Sequence, residues 1–320
     1  MKFPVFDLHC DTALAMLPLG WSKGGQLRKN ELHLDLTRAD FPGYCQCFAC
    51  FTTPEMESWY HKKPVDVFEM ELAMILSQIQ QNPDKIAQAF SVSDIEKNRE
   101  KGIASAILTI EGPAGFGYDP ALLEDLWQIG FRISTLGWNE RNVLAGSHAT
   151  GEGLTDRGRE YVKECQQLGM LVDVSHLSDQ GFWDILDITQ APVVATHSNS
   201  RALCPHSRNL TDDMFRAICQ TGGVAGLNVY ADFLGNAPTL DTACDHIFHW
   251  LELDPEGRHI ALGGDLDGCD SLPAGFDGVQ SYPALAQHLL QRGAGETIVE
   301  NIFWNNAMGV LNNAVCHNKK

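Results

Sequence analysis

Eight short apolar runs, each set apart from the next by a longer amphipathic or polar stretch, limit this chain to very few folds. They are Val5–Cys10, Tyr44–Phe51, Ala104–Ile110, Phe131–Leu136, Met170–Val174, Pro192–Thr196, Gly223–Val229 and His259–Gly263. Continuous apolar runs of this length read as strands buried on both faces, as in a parallel sheet. Helical patterns fall between most of them, at Val67–Gln80, Pro120–Ile129, Thr155–Leu168 and Asp179–Ile188. Strands alternating with helices imply right-handed crossovers, and eight such units favour closure into a (β/α)8 TIM barrel over an open doubly wound sheet. Thr155, Ser178 and Thr211 each precede an acidic first turn and read as helix N-caps. No internal repeat, low-complexity linker or charge block marks a boundary, so residues 1–320 read as one domain. The longest polar insertion, Gly20–Asp40, is expected to form a loop or short helix over the top of the barrel.

Polar residues gather where a barrel builds its active site, at the carboxyl ends of the strands. The first strand ends His9-Cys10-Asp11, and side chains two apart on a strand share a face, so His9 and Asp11 converge while Cys10 points away. Glu111 follows the apolar run Ala-Ile-Leu-Thr-Ile, a costly place for a carboxylate unless it is paired or binds a metal. His176 and His197 end the fifth and sixth runs, and Asp265 follows the eighth within Gly-Gly-Asp-Leu-Asp-Gly. Any one of these is readily a hydrogen-bonded rim residue. Five of the eight runs ending this way, around one axis, point to a metal site. Imidazole with carboxylate suits zinc or a similar divalent ion. His9, Asp11, Glu111, His176 and His197 exceed what one open catalytic zinc uses, and a carboxylate bridging two ions about 3.5–4 Å apart accounts for the surplus. Such a pair acidifies a water, whose proton Asp265 would take as general base.

The balance of charge narrows the partners. With 41 acidic and 23 basic residues the formal net charge is −18, which repels phosphate backbones and anionic lipid surfaces. Neither nucleic acid nor a membrane is an expected partner. No targeting segment precedes the first motif, no stretch of about 18 uninterrupted apolar residues occurs, and the tail His317–Lys320 is polar, so the expected location is the cytoplasm. The ten cysteines are scattered and read as reduced, buried thiols; Cys45, Cys47 and Cys50 match no zinc or redox spacing. His246 and His249 read as a solvated helix face, and Trp304 as a packing anchor for the last helix. Gly112–Gly117 lacks the pattern of a phosphate loop.

Taken in order, Asp-Leu-His-Cys-Asp-Thr at 7–12, Ile-Glu-Gly at 110–112 and Leu-Val-Asp-Val-Ser-His-Leu-Ser at 171–178 resemble the renal or membrane dipeptidase family of the amidohydrolase superfamily. Thr-His-Ser-Asn-Ser at 196–200, Ser-Arg-Asn-Leu at 207–210 and Gly-Gly-Asp-Leu-Asp-Gly at 263–268 continue the likeness over nearly the whole chain. The resemblance implies two zinc ions per chain, one held by His9 and Asp11, the other by His176 and His197, with Glu111 between them. It implies that Asp265 carries the proton and meets the substrate's free amine, and that Arg208 grips its carboxylate; the alternative reading of Arg208 is a surface ion pair. One position departs. Where the best-known members carry a histidine that polarises the scissile carbonyl, this chain has Trp138, with Asn139 and His148 as possible substitutes in substrate binding. The expected activity is hydrolysis of small dipeptides, including those with a D-residue at the carboxyl end. The alternatives are N-acyl amino acids, lactones or cyclic amides in the same site, a nuclease, or a catalytically dead barrel used for binding. A homodimer is compatible with the sequence, which does not fix the oligomeric state.

Overall fold

In a computed structural model, which describes residues 3–19 and 24–316, nine parallel strands occur among the described residues. They are β1 (Val5–Cys10), β2 (Tyr44–Phe51), β3 (Ile86–Gln88), β4 (Ala104–Glu111), β5 (Phe131–Thr135), β6 (Leu171–Asp173), β7 (Val193–Val194), β8 (Ala225–Leu227) and β9 (Ile260–Leu262). Hydrogen bonding runs in the order β7-β6-β5-β4-β2-β1-β9-β8, and a parallel bridge between Ala195 and Ala225 brings β7 beside β8 to close the ring. Helices flank it, as expected of a (β/α)8 barrel.

The eight expected strands form the ring, most of them trimmed by one or two residues at an end. The ninth, β3, has no apolar run to announce it. It pairs with Ala104–Ala106 at the start of β4, on the side that β5 takes over from Leu108 onward. Phe6, Leu8, Cys47, Ile107, Ile133, Leu171, Val194 and Ala261 contribute to a buried cluster on the axis of the ring, closed by Trp304 from the last helical segment. Trp304 packs on Phe6 with ring centroids 5.8 Å apart, so the expected anchor plugs the barrel interior. A larger core lies between the strands' outer faces and the helices, and includes Cys50.

Two glycines let β8 and β9 close on β7. A Cβ at Gly226 or Gly263 would stand 2.0 or 1.6 Å from the carbonyl oxygen of Thr196. Thr155, Ser178 and Thr211 each accept a backbone N–H from three residues on, so the three helices start at the expected caps. The insertion differs from expectation. Residues 20–23 lie outside the described residues, as do 317–320, and the described part is a loop without a helix that runs down the outside of the barrel. Buried Leu27, Leu34 and Leu36 hold it against the outer core, and it reaches the top of the barrel through His33. No described helix is long and apolar enough to cross a membrane.

Candidate metal centre

A break in the regular pairing of β1 aims the first two polar side chains. Asp7 pairs with Gln46 and Cys10 with Phe48, so β1 carries one more residue than β2 over that interval. Phe6 and Leu8 already face the axis, and simple alternation would send His9 outward. The bulge turns His9 inward as well and leaves Cys10 in the outer core, with Asp11 again facing in. Asp7 secures the turn, its Oδ1 accepting from the N–H groups of His9 (3.1 Å) and Gly264 (2.8 Å), while the Tyr282 hydroxyl donates to its Oδ2.

Glu111, the last residue of β4, stands at the centre. Its Oε2 lies 3.2 Å from His9 Nε2, and its Oε1 lies 2.9 Å from His176 Nε2 and 3.9 Å from His197 Nε2. The carboxylate therefore faces one set of donors with each oxygen. His9 Nε2 is also 3.2 Å from Asp11 Oδ2 and 3.8 Å from Asp265 Oδ1. All six side chains are buried.

Hydrogen bonds behind these groups fix which nitrogen is free. Asp173 Oδ2 accepts from the Thr196 hydroxyl, whose oxygen is then left to accept from His197 Nδ1 at 2.8 Å. Asn139 Oδ1 accepts from His176 Nδ1 and from His148 Nε2, each at 2.9 Å. Both Nε2 atoms, of His176 and His197, thus carry lone pairs, and they face each other 2.9 Å apart. Burial holds both imidazoles neutral, with pKa values well below the usual one; Arg208 adds to this at His176 and His9 at His197. Two opposed lone pairs and the unpartnered Oδ1 of Asp11 are what a set of ligands would present to a cation. At His9 burial opposes a charge, but Glu111 and Asp11 outweigh it and raise its pKa, so a proton does there what a cation would do. The residues fit a metal.

Above the donors opens a cavity of about 510 Å³, lined among others by Trp138, Asn139, His148, Arg208 and Asp265. Asp265 follows β9 with φ 56°, one of three non-glycine residues at the site in the left-handed region; the others are His176 (72°) and Asp267 (69°). Its Oδ2 accepts from Asn228 Nδ2 at 3.0 Å. Burial, then the nearby carboxylates of Asp11 and Glu111, push its pKa up to about 6 against the opposing pull of His9.

Arg208 lies in a stapled loop. Asn199 N–H donates to Asn209 Oδ1 (3.1 Å), Asn199 Nδ2 donates to the Asn228 carbonyl (2.9 Å), and Asn209 Nδ2 donates to the Phe233 carbonyl (2.9 Å). The guanidinium is buried, sits over the Phe233 ring at 5.4 Å, and makes only 3.4 Å contacts to Ser198 Oγ and the His197 carbonyl; its Nε has no partner. Among the described residues it forms no ion pair. Burial draws its pKa down to about 10, which leaves it charged at neutral pH.

Trp138 and Asn139 part company. Trp138 lies in the cavity wall, with its indole against Phe51, Trp59 and His176. Asn139 lines the same cavity, but its carbonyl oxygen is already engaged by two histidines. His148 lines the wall too, tied by Nδ1 to Ser207 Oγ at 2.8 Å, and burial followed by the charge of Arg208 lowers its pKa to about 4.

Over residues 1–320 the sequence matches the membrane dipeptidase family, peptidase family M19. The chain belongs to that family. It is a metal-dependent hydrolase. A metallopeptidase of Rhodobacter sphaeroides, solved with a phosphinate mimic of the dipeptide L-Ala-D-Ala, superposes with a TM-score of 0.86 at 27% identity, covering 98% of this chain and 100% of that one. An uncharacterised protein from the pqqA 5′ region of Klebsiella pneumoniae is 34% identical over 264 residues, 78% of this chain and 97% of its own length. Dipeptidase aclJ of Aspergillus oryzae is 31% identical over 272 residues, 82% of this chain but only 64% of the longer fungal protein.

Several residues of this M19 site escaped the sequence reading. Asp173 and Thr196 act through His197 and Asn228 through Asp265, and no local pattern distinguishes them from ordinary strand-end polar groups. His246 was expected on a solvated face and is instead fully buried. Its Nδ1 accepts from Ser200 N–H (3.1 Å) and its Nε2 donates to the Leu234 carbonyl (3.0 Å), bracing the start of the Arg208 loop. The buried stripe Ala243, His246, Ile247 and Trp250 was the available signal. His249 does stay near solvent, with Asp212 at 2.8 Å.

Proposed function

We propose that this M19 hydrolase is a dinuclear zinc dipeptidase that cleaves the single amide of small dipeptides, including those with a D-residue at the carboxyl end. One observation carries the reading: a buried, charged, poorly satisfied guanidinium stands on the wall of the same cavity as a two-sided set of metal donors. His9 and Asp11 would hold one ion, His176 and His197 the other, and Glu111 both. Divalent cations held by these residues would supply Lewis acidity to the scissile carbonyl and lower the pKa of the attacking water. The protein's own groups do the rest. Asp265 Oδ1 takes the water's proton and returns it to the leaving amine, while Asn228 holds the other oxygen in place. Arg208 offers a free fork to a terminal carboxylate, over the apolar face of Phe233. Trp138 and Asn139 bound the substrate on the far side, and the D-configuration is supported by the ligand of the Rhodobacter neighbour.

The test is kinetic. Purified protein is first assayed for metal by elemental analysis, then given L,L and L,D dipeptides as free acids and as amides. Arg208→Ala should lose roughly 30- to 900-fold in kcat/KM on the free acids, as expected for truncating one member of a buried charge pair. The loss should largely vanish on the amides. Equal losses on both would assign the site to a broader amidohydrolase reaction on lactones or cyclic amides.

A further inference from the structure

A dipeptide held by its carboxylate at Arg208 and its amine at Asp265 has one direction left for the side chain of its amino-terminal residue. Arg208 and Phe233 belong to the arc of the rim above β7 and β8, and Asp265 to that above β9. The remaining arc, above β1, β2 and β5, carries an apolar wall beyond Asp11 and Glu111. There Leu14, Phe51, Trp59 and Trp138 line the cavity. The indole of Trp138 packs on Phe51 with centroids 5.3 Å apart and on Trp59 at 5.6 Å, both edge-to-face. Leu17, Met56 and Val67 back this wall in a hydrophobic cluster separate from both the barrel interior and the outer core. Trp59 is 38% exposed at the mouth, a large apolar surface left in water beside a cavity lined elsewhere by charge.

We infer that this wall is the subsite for the side chain of the substrate's amino-terminal residue, and that it sets a preference for a bulky apolar or aromatic residue there. The inference rests on the dipeptide reading of the cavity. A cavity of about 510 Å³ has room for more than two small residues, and a glycine or alanine at the amino end would leave the indoles bare. An acidic side chain there would lose its hydration against the indoles without gaining a partner. Trp59 and Trp138 are then specificity-determining residues, and the tryptophan at the position of the family's usual histidine contributes surface in place of a polar contact.

The metal-loaded enzyme is assayed with X-L-Ala and X-D-Ala, where X is glycine, leucine, phenylalanine or aspartate. Leucine and phenylalanine should exceed glycine by on the order of 10- to 100-fold in kcat/KM, the gain expected from burying one large apolar side chain. Aspartate should fall below glycine. In Trp59→Ala the phenylalanine-to-glycine ratio should drop by about 10-fold or more, and Trp59→Phe should recover part of it. Binding gives an independent readout, since quenching of tryptophan fluorescence by a dipeptide phosphinate mimic should need less ligand when a benzyl group replaces hydrogen on the amino side. Dipeptides cleaved without preference, or a preference that survives Trp59→Ala, would overturn the subsite while the dipeptidase reading stands. If no dipeptide is cleaved and neither mimic binds, both fall together.

Discussion

Asp265 combines a raised pKa with a fixed orientation, and both bear on its use as a base. Only the ionised carboxylate accepts a proton, so activity should fall as pH drops through the pKa that burial has raised to about 6. Nearby cations favour the ionised form, which places the acid limb of kcat/KM at or below about pH 6 in the loaded enzyme. Asp265→Asn should keep its metal and lose on the order of 10²–10⁴-fold in turnover across the whole profile. Metal lost in parallel with activity would make Asp265 chiefly a ligand. The site residues legible in the sequence were those whose type contradicts their surroundings. A carboxylate after Ile110, or an imidazole after Val174-Ser175, calls for an explanation by itself. Asn228 and Asp173 do not, because amides and carboxylates are ordinary at strand ends. What sets them apart is a partner 37 residues away for Asn228 and 23 for Asp173, a relation that only the closed ring creates.

Among the elements, the eight ring strands could be read because both their faces are buried and the runs are continuous. Strand β3 could not, since only Ile86 of its three residues is fully buried and it pairs with just the first three residues of β4. The bulge in β1 was equally hidden. The spacing of His9 and Asp11 gave the correct common face, yet the inward position of Leu8 beside them depends on one extra residue opposite β2. Close packing of β9 on β7 is a sharper matter. Gly263→Ala would drive a Cβ into the Thr196 carbonyl, one residue before the proposed ligand His197. Neither group is a flexible side chain, so the two strands must separate, at a cost of about 3 kcal/mol or more. The urea midpoint should fall accordingly, and the affinity of the metal site should fall with it. An unchanged midpoint would mean that β9 lies farther from β7 than described.

For the whole molecule, the proposed ligands come from β1, β4, β6 and β7 or the residues just after them, so a bound metal pair fastens the ring across its diameter as well as serving chemistry. Ligand binding stabilises the folded state by about 2.7 kcal/mol at a hundredfold excess over Kd. Removal by a chelator, verified by elemental analysis, should therefore lower Tm by on the order of 5 °C or more. Glu111→Gln should reduce occupancy of both ions together, because a neutral amide bridges poorly. A Tm indifferent to metal, or full double occupancy in that variant, would remove the clasp. The backbone at His176, Asp265 and Asp267 pulls the other way. Each holds a left-handed conformation that costs an L-residue on the order of 1 kcal/mol, and glycine would relieve it. A variant library sorted purely for thermal endurance with the metal removed should thus enrich glycine at these three positions. The survivors would be sturdier proteins and worse enzymes, and the order in which the positions gave way would rank how much folding stability each residue forgoes for its place at the site.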